Sequence, residues 1–180
     1  MQVIERPPRT IMEVYKMLPE GTLAELIKGA IYRSPAPLSK HQLISMNLSI
    51  EMGHYIRKNK IGYLFAAPCD VYLDETSNVV QPDVLVVLKK NASIVKGHIH
   101  GVPDIIIEIL SKGSRSYDLG EKMELYERFG VSEYWVIDPE TQEAFGYELK
   151  DNKFNSIGTF HGKIASSLLE QEFYFNQSFD

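Results

Sequence analysis

A chain of 180 residues with 44% hydrophobic and 24% charged residues can bury one substantial core and has the composition of an ordinary soluble domain, expected to span residues 1–180. Its formal net charge of -5 argues against a protein that coats nucleic acid non-specifically, but leaves room for one that meets nucleic acid in a local groove. The single cysteine, Cys69, excludes an internal disulfide framework and fits a reducing cytoplasm; "MQVIERPPRT" lacks the apolar run of a signal peptide, and no segment approaches the ~20 apolar residues of a membrane span.

In chain order, "TIMEVYKML" (Thr10 to Leu18) has helical spacing and is stopped by Pro19 and Gly21. "LAELIKGAIYRSPAP" reads as two short strands around the turn-prone Lys28-Gly29. "SKHQLISMNLSIEMGHYIRKN" predicts a long amphipathic helix with Ser39 as N-cap and Leu43, Met46, Ile50 and Met52 on its apolar face. Two strands then flank the polar turn "DETSN"; if the turn is centred between Thr76 and Ser77, Asp70 lies opposite Asp83. After a loop carrying His98 and His100, "PDIIIEIL" is apolar enough for a central strand covered on both faces. "SYDLGEKMELYERFG" predicts a helix capped by Ser116 or Asp118 and stopped by Gly130. "SEYWVID" is a further strand, "EAFGYEL" and "KFNSI" form a hairpin around Asp151-Asn152, and Ile164 to Phe175 mixes a helical turn with an aromatic strand. The order predicts an α/β or α+β domain with one mixed β-sheet flanked by helices.

The apolar strands contain acids. Asp83 begins "DVLVV" and Glu108 sits between Ile107 and Ile109, although burying an unpaired carboxylate costs several kcal/mol. The spacing lets the two strands be neighbours, where two carboxylates repel and one pKa rises. A divalent cation removes that conflict: Mg²⁺ takes one or two carboxylates together with waters and substrate phosphate, so the strand acids suggest a hard-metal site. In the next helix Leu119, Lys122, Tyr126 and Phe129 share one face, so Lys122 interrupts an apolar stripe. It either snorkels to solvent or points into a site shared with the acids, where it could act on an attacking water or stabilise developing charge.

"PD", a strand acid and a nearby lysine resemble the PD-(D/E)xK phosphodiesterases. More closely, "ELIKGAIYRSPAP", "HQLI", "APCDVYLDE", "VVQPDVLVV", "PDIIIEILS", "YDLGEKMELYERFGVSEYWVIDP" and "SSLL" resemble, in order and over nearly the whole chain, the Uma-type family of bacterial "putative restriction endonucleases". The resemblance implies a restriction-endonuclease-like core and hydrolysis of DNA dependent on Mg²⁺, with Mn²⁺ able to substitute. Asp83 and Glu108 would hold the metal together with the carbonyl of Ile109, and Asp83, Glu108 and Lys122 would form the catalytic set. The chain departs from the superfamily pattern in placing Leu110 where the lysine usually stands, and from the family pattern in having Lys28 and Ala30 where acids are common.

Other candidates carry competing readings. Asp70 is either a surface acid near the turn or an auxiliary site residue. Glu25 reads as structural before catalytic, and Asp104 as a strand-entry residue although it shares a face with Glu108. His41, at the start of the long helix, is an auxiliary candidate for phosphate contact, while His98, His100 and Cys69 lack the company that zinc binding or thiol catalysis needs. The aromatic tail "EFYFNQSF" (Glu172 to Phe179) offers apolar surface for a homodimer. The expected function is a DNA endonuclease with no membrane association; the alternatives are a nuclease-fold binding or structural module whose catalysis has decayed, and a metal hydrolase acting on a small phosphate.

Overall fold

The computed structural model of the protein describes residues 7–176. Thr10 caps α1 (Ile11–Lys16), its hydroxyl accepting the amide of Glu13 at 3.1 Å. β1 (Ala24–Ile27) and β2 (Ala30–Arg33) follow, reversing on Lys28 (φ 50°) and Gly29 (φ 80°), the left-handed pair that suits a two-residue hairpin. α2 (Ser39–Asn59) differs from the expected helix at both its cap and its face. Leu38 holds the cap position with no side-chain hydrogen bond, and Ser39 is already helical. His41, Ile44, Asn47, Leu48, Met52 and Ile56 are buried, whereas Leu43, Met46 and Ile50 are 44%, 42% and 59% exposed. Both stripes have helical spacing, so periodicity could not choose between them. Polar anchors hold the buried one in place: His41 bonds Asp83, and the Asn47 amide donates to the carbonyl of Phe175.

β3 (Gly62–Ala66), β4 (Val71–Tyr72), β5 (Val79–Val80) and β6 (Val84–Leu88) then divide between two sheets, with β3 and β6 in one and β4 and β5 in the other. The chain therefore changes sheet twice, at Ala67–Asp70 and at Gln81–Asp83, where Pro82 has no N–H to give a ladder. The β4–β5 register pairs Val71 with Val80 and Tyr72 with Val79. This centres the turn between Glu75 and Thr76 and puts Asp70 opposite Gln81, not Asp83. The cause is Asp74, whose Oδ1 accepts the amides of Thr76, Ser77 and Asn78 at 2.8, 2.7 and 3.1 Å and so tightens the turn.

Burial opposes ionisation of Asp74, but the Asn78 amide and these backbone donors outweigh it and bring the pKa from 3.8 to about 2. A lowered folded pKa stabilises above the unfolded value and is lost on acidification. Asp74→Ala should therefore cost about 1 kcal/mol at pH 7, a figure discounted for the group's exposure. The gap from wild type in urea midpoint should close as pH falls from 3.8 towards about 2.

β7 (Val95–Lys96) and β8 (His98–His100) replace the loop expected around the histidines, because His98–His100 pairs alongside β4. β9 (Ile105–Ile109) is followed by α3 (Arg115–Tyr117), a π-helical turn (Asp118–Lys122), α4 (Met123–Phe129), β10 (Glu133–Ile137), β11 (Glu143–Lys150), β12 (Lys153–His161), β13 (Lys163–Ser166) and β14 (Gln171–Tyr174). Gly130 (φ 86°) ends α4 as expected, but neither Ser116 nor Asp118 is the cap: Ser114 stands at that position and exchanges hydrogen bonds with Ser111.

Instead of one mixed sheet there are two six-stranded sheets, ordered β2-β1-β5-β4-β8-β7 and β12-β11-β10-β9-β6-β3, and a β13-β14 ribbon in place of the expected helical turn. β9 lies in the middle of the second sheet, parallel to β10 and antiparallel to β6. On one face Ile105, Ile107 and Ile109 pack with Leu48, Met52 and Ile56 of α2; on the other, Ile106 and Leu110 pack with Ile27, Val71 and Val80 of the first sheet and with Leu125 and Tyr126 of α4. Both faces of β9 are thus dry, which is why its sequence is nearly all apolar. The ribbon is fastened by buried Glu133, which accepts from Trp135 Nε1, the Leu168 amide and Ser166 Oγ at 2.6, 2.8 and 3.2 Å. Of the aromatic tail, Phe173 and Phe175 are buried in the protein's own core, Tyr174 is 45% exposed, and Phe179 lies outside the described residues. Among the described residues, no helix is long and apolar enough to cross a membrane.

Candidate active site

The β6–β9 register pairs Val84 with Ile107, so one step beyond it Asp83 faces Glu108. Alternation puts both acids on the face that carries Leu85, Val87, Ile106 and Leu110. Asp83 belongs to the segment crossing between the sheets. Its Oδ2 accepts the Ile109 amide at 2.7 Å and lies 3.1 Å from His41 Nε2, which reaches it from the first turn of α2. Glu108 is 4% exposed, and its Oε1 accepts both Lys122 Nζ at 3.0 Å and the Tyr126 hydroxyl at 2.7 Å.

Lys122 is brought in by the π-helical turn, whose wider winding places Asp118 and Lys122 together on the buried side. Its ammonium lies 3.0 Å from Glu25, 3.0 Å from Glu108 and 4.0 Å from Asp118. Burial favours the neutral amine, but the carboxylates of Glu108, Glu25 and Asp118 outweigh it and hold Lys122 protonated well above the ordinary lysine range. The same excess of acid acts on Glu108. Burial raises its pKa well above the usual carboxylate range, Lys122 pulls it down, and Asp83, Asp118 and Glu25 push it up again. Asp118 is raised for the same first reason, burial, with Lys122 opposing.

The cluster holds four carboxylates, Glu25, Asp83, Glu108 and Asp118, against one lysine. Such a set favours a further positive charge. Among the described residues, no three His, Cys, Asp or Glu side chains close into a complete metal cage. Asp83 Oδ1 and Glu108 Oε2 accept no hydrogen bond there, since every bond to these two side chains falls on the other oxygen. Two carboxylates with oxygens to spare fit Mg²⁺, which completes its shell with water and substrate phosphate. The residues line a cavity of about 480 Å³ between the two sheets, the start of α2 and the loop before α3.

The structure brings Glu25 fully into this cluster: its Oε1 accepts the Gln81 amide at 2.9 Å as well as pairing with Lys122. Asp70 stays outside, bonded to Gln81 Nε2 at 2.7 Å and to the Tyr15 hydroxyl at 3.2 Å. Asp104 is structural, accepting the Leu88 amide at 2.7 Å and the Asn91 amide at 2.8 Å. Asp118 and Tyr126 were not singled out as site residues from the sequence. The available signal was their spacing of four residues on either side of Lys122, which puts all three on one helical face.

A family model described as "Putative restriction endonuclease" (Uma2) matches residues 11–175. A solved structure described as a "putative nuclease belonging to DUF820" from Anabaena variabilis ATCC 29413 is similar to the chain, with a TM-score of 0.74 at 20% identity over 93% of this chain and 96% of that one. At that identity the likeness shows a shared fold alone, an α+β arrangement of mixed sheets flanked by helices. None of the curated proteins matches. Since the family match runs from the first residue of α1 to the one that follows β14, and takes in the whole acid–lysine cluster, the chain belongs to the Uma2 family.

Proposed function

We propose that the protein is a divalent-metal-dependent endonuclease that hydrolyses phosphodiester bonds in DNA. The observation that carries this reading is that Asp83, one step before β6, faces Glu108 of the neighbouring β9, with Lys122 in contact with the second acid. The family match and the nuclease described for the structural neighbour support it. Asp83, Glu108 and the carbonyl of Ile109 are the groups that would hold Mg²⁺ or Mn²⁺, and the bound ion would supply Lewis-acid polarisation of the phosphate and a water of lowered pKa.

The remaining roles belong to the chain. Lys122, held as an ammonium by three carboxylates, offers fixed positive charge where a phosphorane-like transition state accumulates negative charge; in that state it is not a general base. Tyr126 and Lys122 both pin Oε1 of Glu108, fixing the side chain and turning its other oxygen free. His41 and the Ile109 amide do the same for Asp83.

DNA offered both as supercoiled plasmid and as a single-stranded circle should be cut by wild type in Mg²⁺ or Mn²⁺ in at least one of the two forms. EDTA should stop the reaction, and Asp83→Ala should be inactive in the same buffer. Wild type that binds DNA without cutting it in either metal is the outcome expected of a decayed module, and it would remove the catalytic reading.

A further inference from the structure

The cavity wall has an unusual balance for a protein that handles DNA. Besides Lys122, which the carboxylates occupy, its one cation among the described residues is Lys112, which forms no ion pair. Most cations nearby are already matched, Lys40 with Glu140 at 2.6 Å, Arg115 with Asp138 at 2.9 Å and Lys28 with Glu121 at 3.6 Å, while Arg33, beside Tyr32, is exposed and forms no ion pair among the described residues. A duplex shows a protein mainly phosphate, and its affinity comes from many free lysines and arginines along the groove. That row is missing from this wall. The wall is instead apolar, formed by Leu23, Pro35, Ala36, Pro37, Leu38 and Pro68, with Leu38 71% exposed.

An aromatic pair continues it. Tyr117 lines the cavity with its ring 6.0 Å from the Lys122 ammonium, and Tyr32 lies against it with centroids 5.4 Å apart. Tyr32 is 39% exposed. The Tyr117 hydroxyl is buried with no hydrogen-bond partner among the described residues, a cost the fold carries while keeping that ring beside the site. The acids lie deep, with side-chain exposures of 5% for Glu108 and 17% for Asp83, so a phosphodiester must enter the cavity to meet them.

Taking the nuclease reading as its basis, we infer that the substrate is an unpaired DNA strand, not an intact duplex. Its phosphodiester reaches Asp83, Glu108 and Lys122 while its bases lie on Tyr32, Tyr117 and the Pro35–Leu38 wall. An unpaired strand presents base faces that apolar and aromatic side chains can cover, and stacking of this kind needs few cations and no particular sequence. In a duplex those faces are already stacked on one another and this wall has nothing to cover.

The test compares one fluorescent oligonucleotide, free and annealed into a blunt duplex, cut by wild type in Mn²⁺. The free strand should be cleaved at least ~10-fold faster, about the effect of one base stack. Tyr32→Ala should raise KM for the free strand by about tenfold, Tyr32→Phe should restore it, and Mn²⁺ affinity should match wild type in both. Duplex cut as fast as the free strand overturns this inference and leaves the nuclease reading standing, as does a Tyr32→Ala variant with unchanged KM. If neither form is cut, both the inference and the reading beneath it fall.

Discussion

Lys122→Met should lower both stability and cleavage, for different reasons. From the sequence, Lys122 could be a helix lysine whose stem alone contributes to packing, and methionine would then replace it at little cost to folding. In the structure it is, among the described residues, the only lysine beside Glu25, Asp83, Glu108 and Asp118, and it is 5% exposed. Removing it strands buried carboxylates, a change that costs about 3–5 kcal/mol where one partner of a buried pair is lost.

The sign with pH follows. Without the ammonium, which opposes the effect of burial on both, the folded pKa values of Glu108 and Asp118 rise still further above their unfolded values. A raised carboxylate contributes fully below its unfolded pKa and loses that contribution as pH rises through the folded value. The variant's deficit in melting temperature should therefore be small in mild acid and grow towards neutral pH. Added Mn²⁺, replacing the missing positive charge, should recover part of it. Cleavage in saturating Mn²⁺ should still fall by ~10²–10³-fold, the usual cost of one electrostatic donor at a transition state. Equal melting temperatures and equal DNA cleavage would show that the ammonium neither balances the acids nor meets the phosphate.

The strand acids were legible because they break a rule that leaves few exceptions. Glu108 between isoleucines needs a partner, and sequence spacing alone allowed its strand to adjoin that of Asp83. Glu25 was harder, since nothing local shows that the β1–β2 hairpin, part of a different sheet, delivers it to the same lysine. The position of Asp70 failed on a single side chain: Asp74 gathers the turn one residue tighter than its composition suggested. The two-sheet division was hidden because "VVQPDVLVV" reads as one apolar run, and only the tertiary crossing at Gln81–Asp83 separates β5 from β6. The face of α2 was hidden because Leu43, Met46 and Ile50 make as good a stripe as the residues that are buried.

Glu108→Gln should act in the opposite sense to Lys122→Met on stability and in the same sense on activity. Glutamine keeps an oxygen for Lys122 and Tyr126 and removes one of four negative charges from a cluster with a single lysine. The wild-type carboxyl has a raised folded pKa, so in metal-free buffer its contribution to stability is lost as pH rises. The variant should therefore melt higher than wild type at pH 8, by ~2–4 °C for each kcal/mol relieved. Its cleavage should nonetheless fall by at least ~10²–10³-fold, because a neutral amide is a poor ligand for a hard cation. A rise in stability accompanied by a loss of activity marks a residue kept for its site and not for the fold.

The central claim is that acids stand in these apolar strands to hold a divalent cation, and calorimetric titration of Mn²⁺ into metal-free wild type and Glu108→Gln tests it most directly. Wild type should show saturable binding of Mn²⁺, and the variant, still folded by circular dichroism, should have lost it. Wild type without saturable binding, or a variant that binds Mn²⁺ as tightly as wild type, would contradict the account.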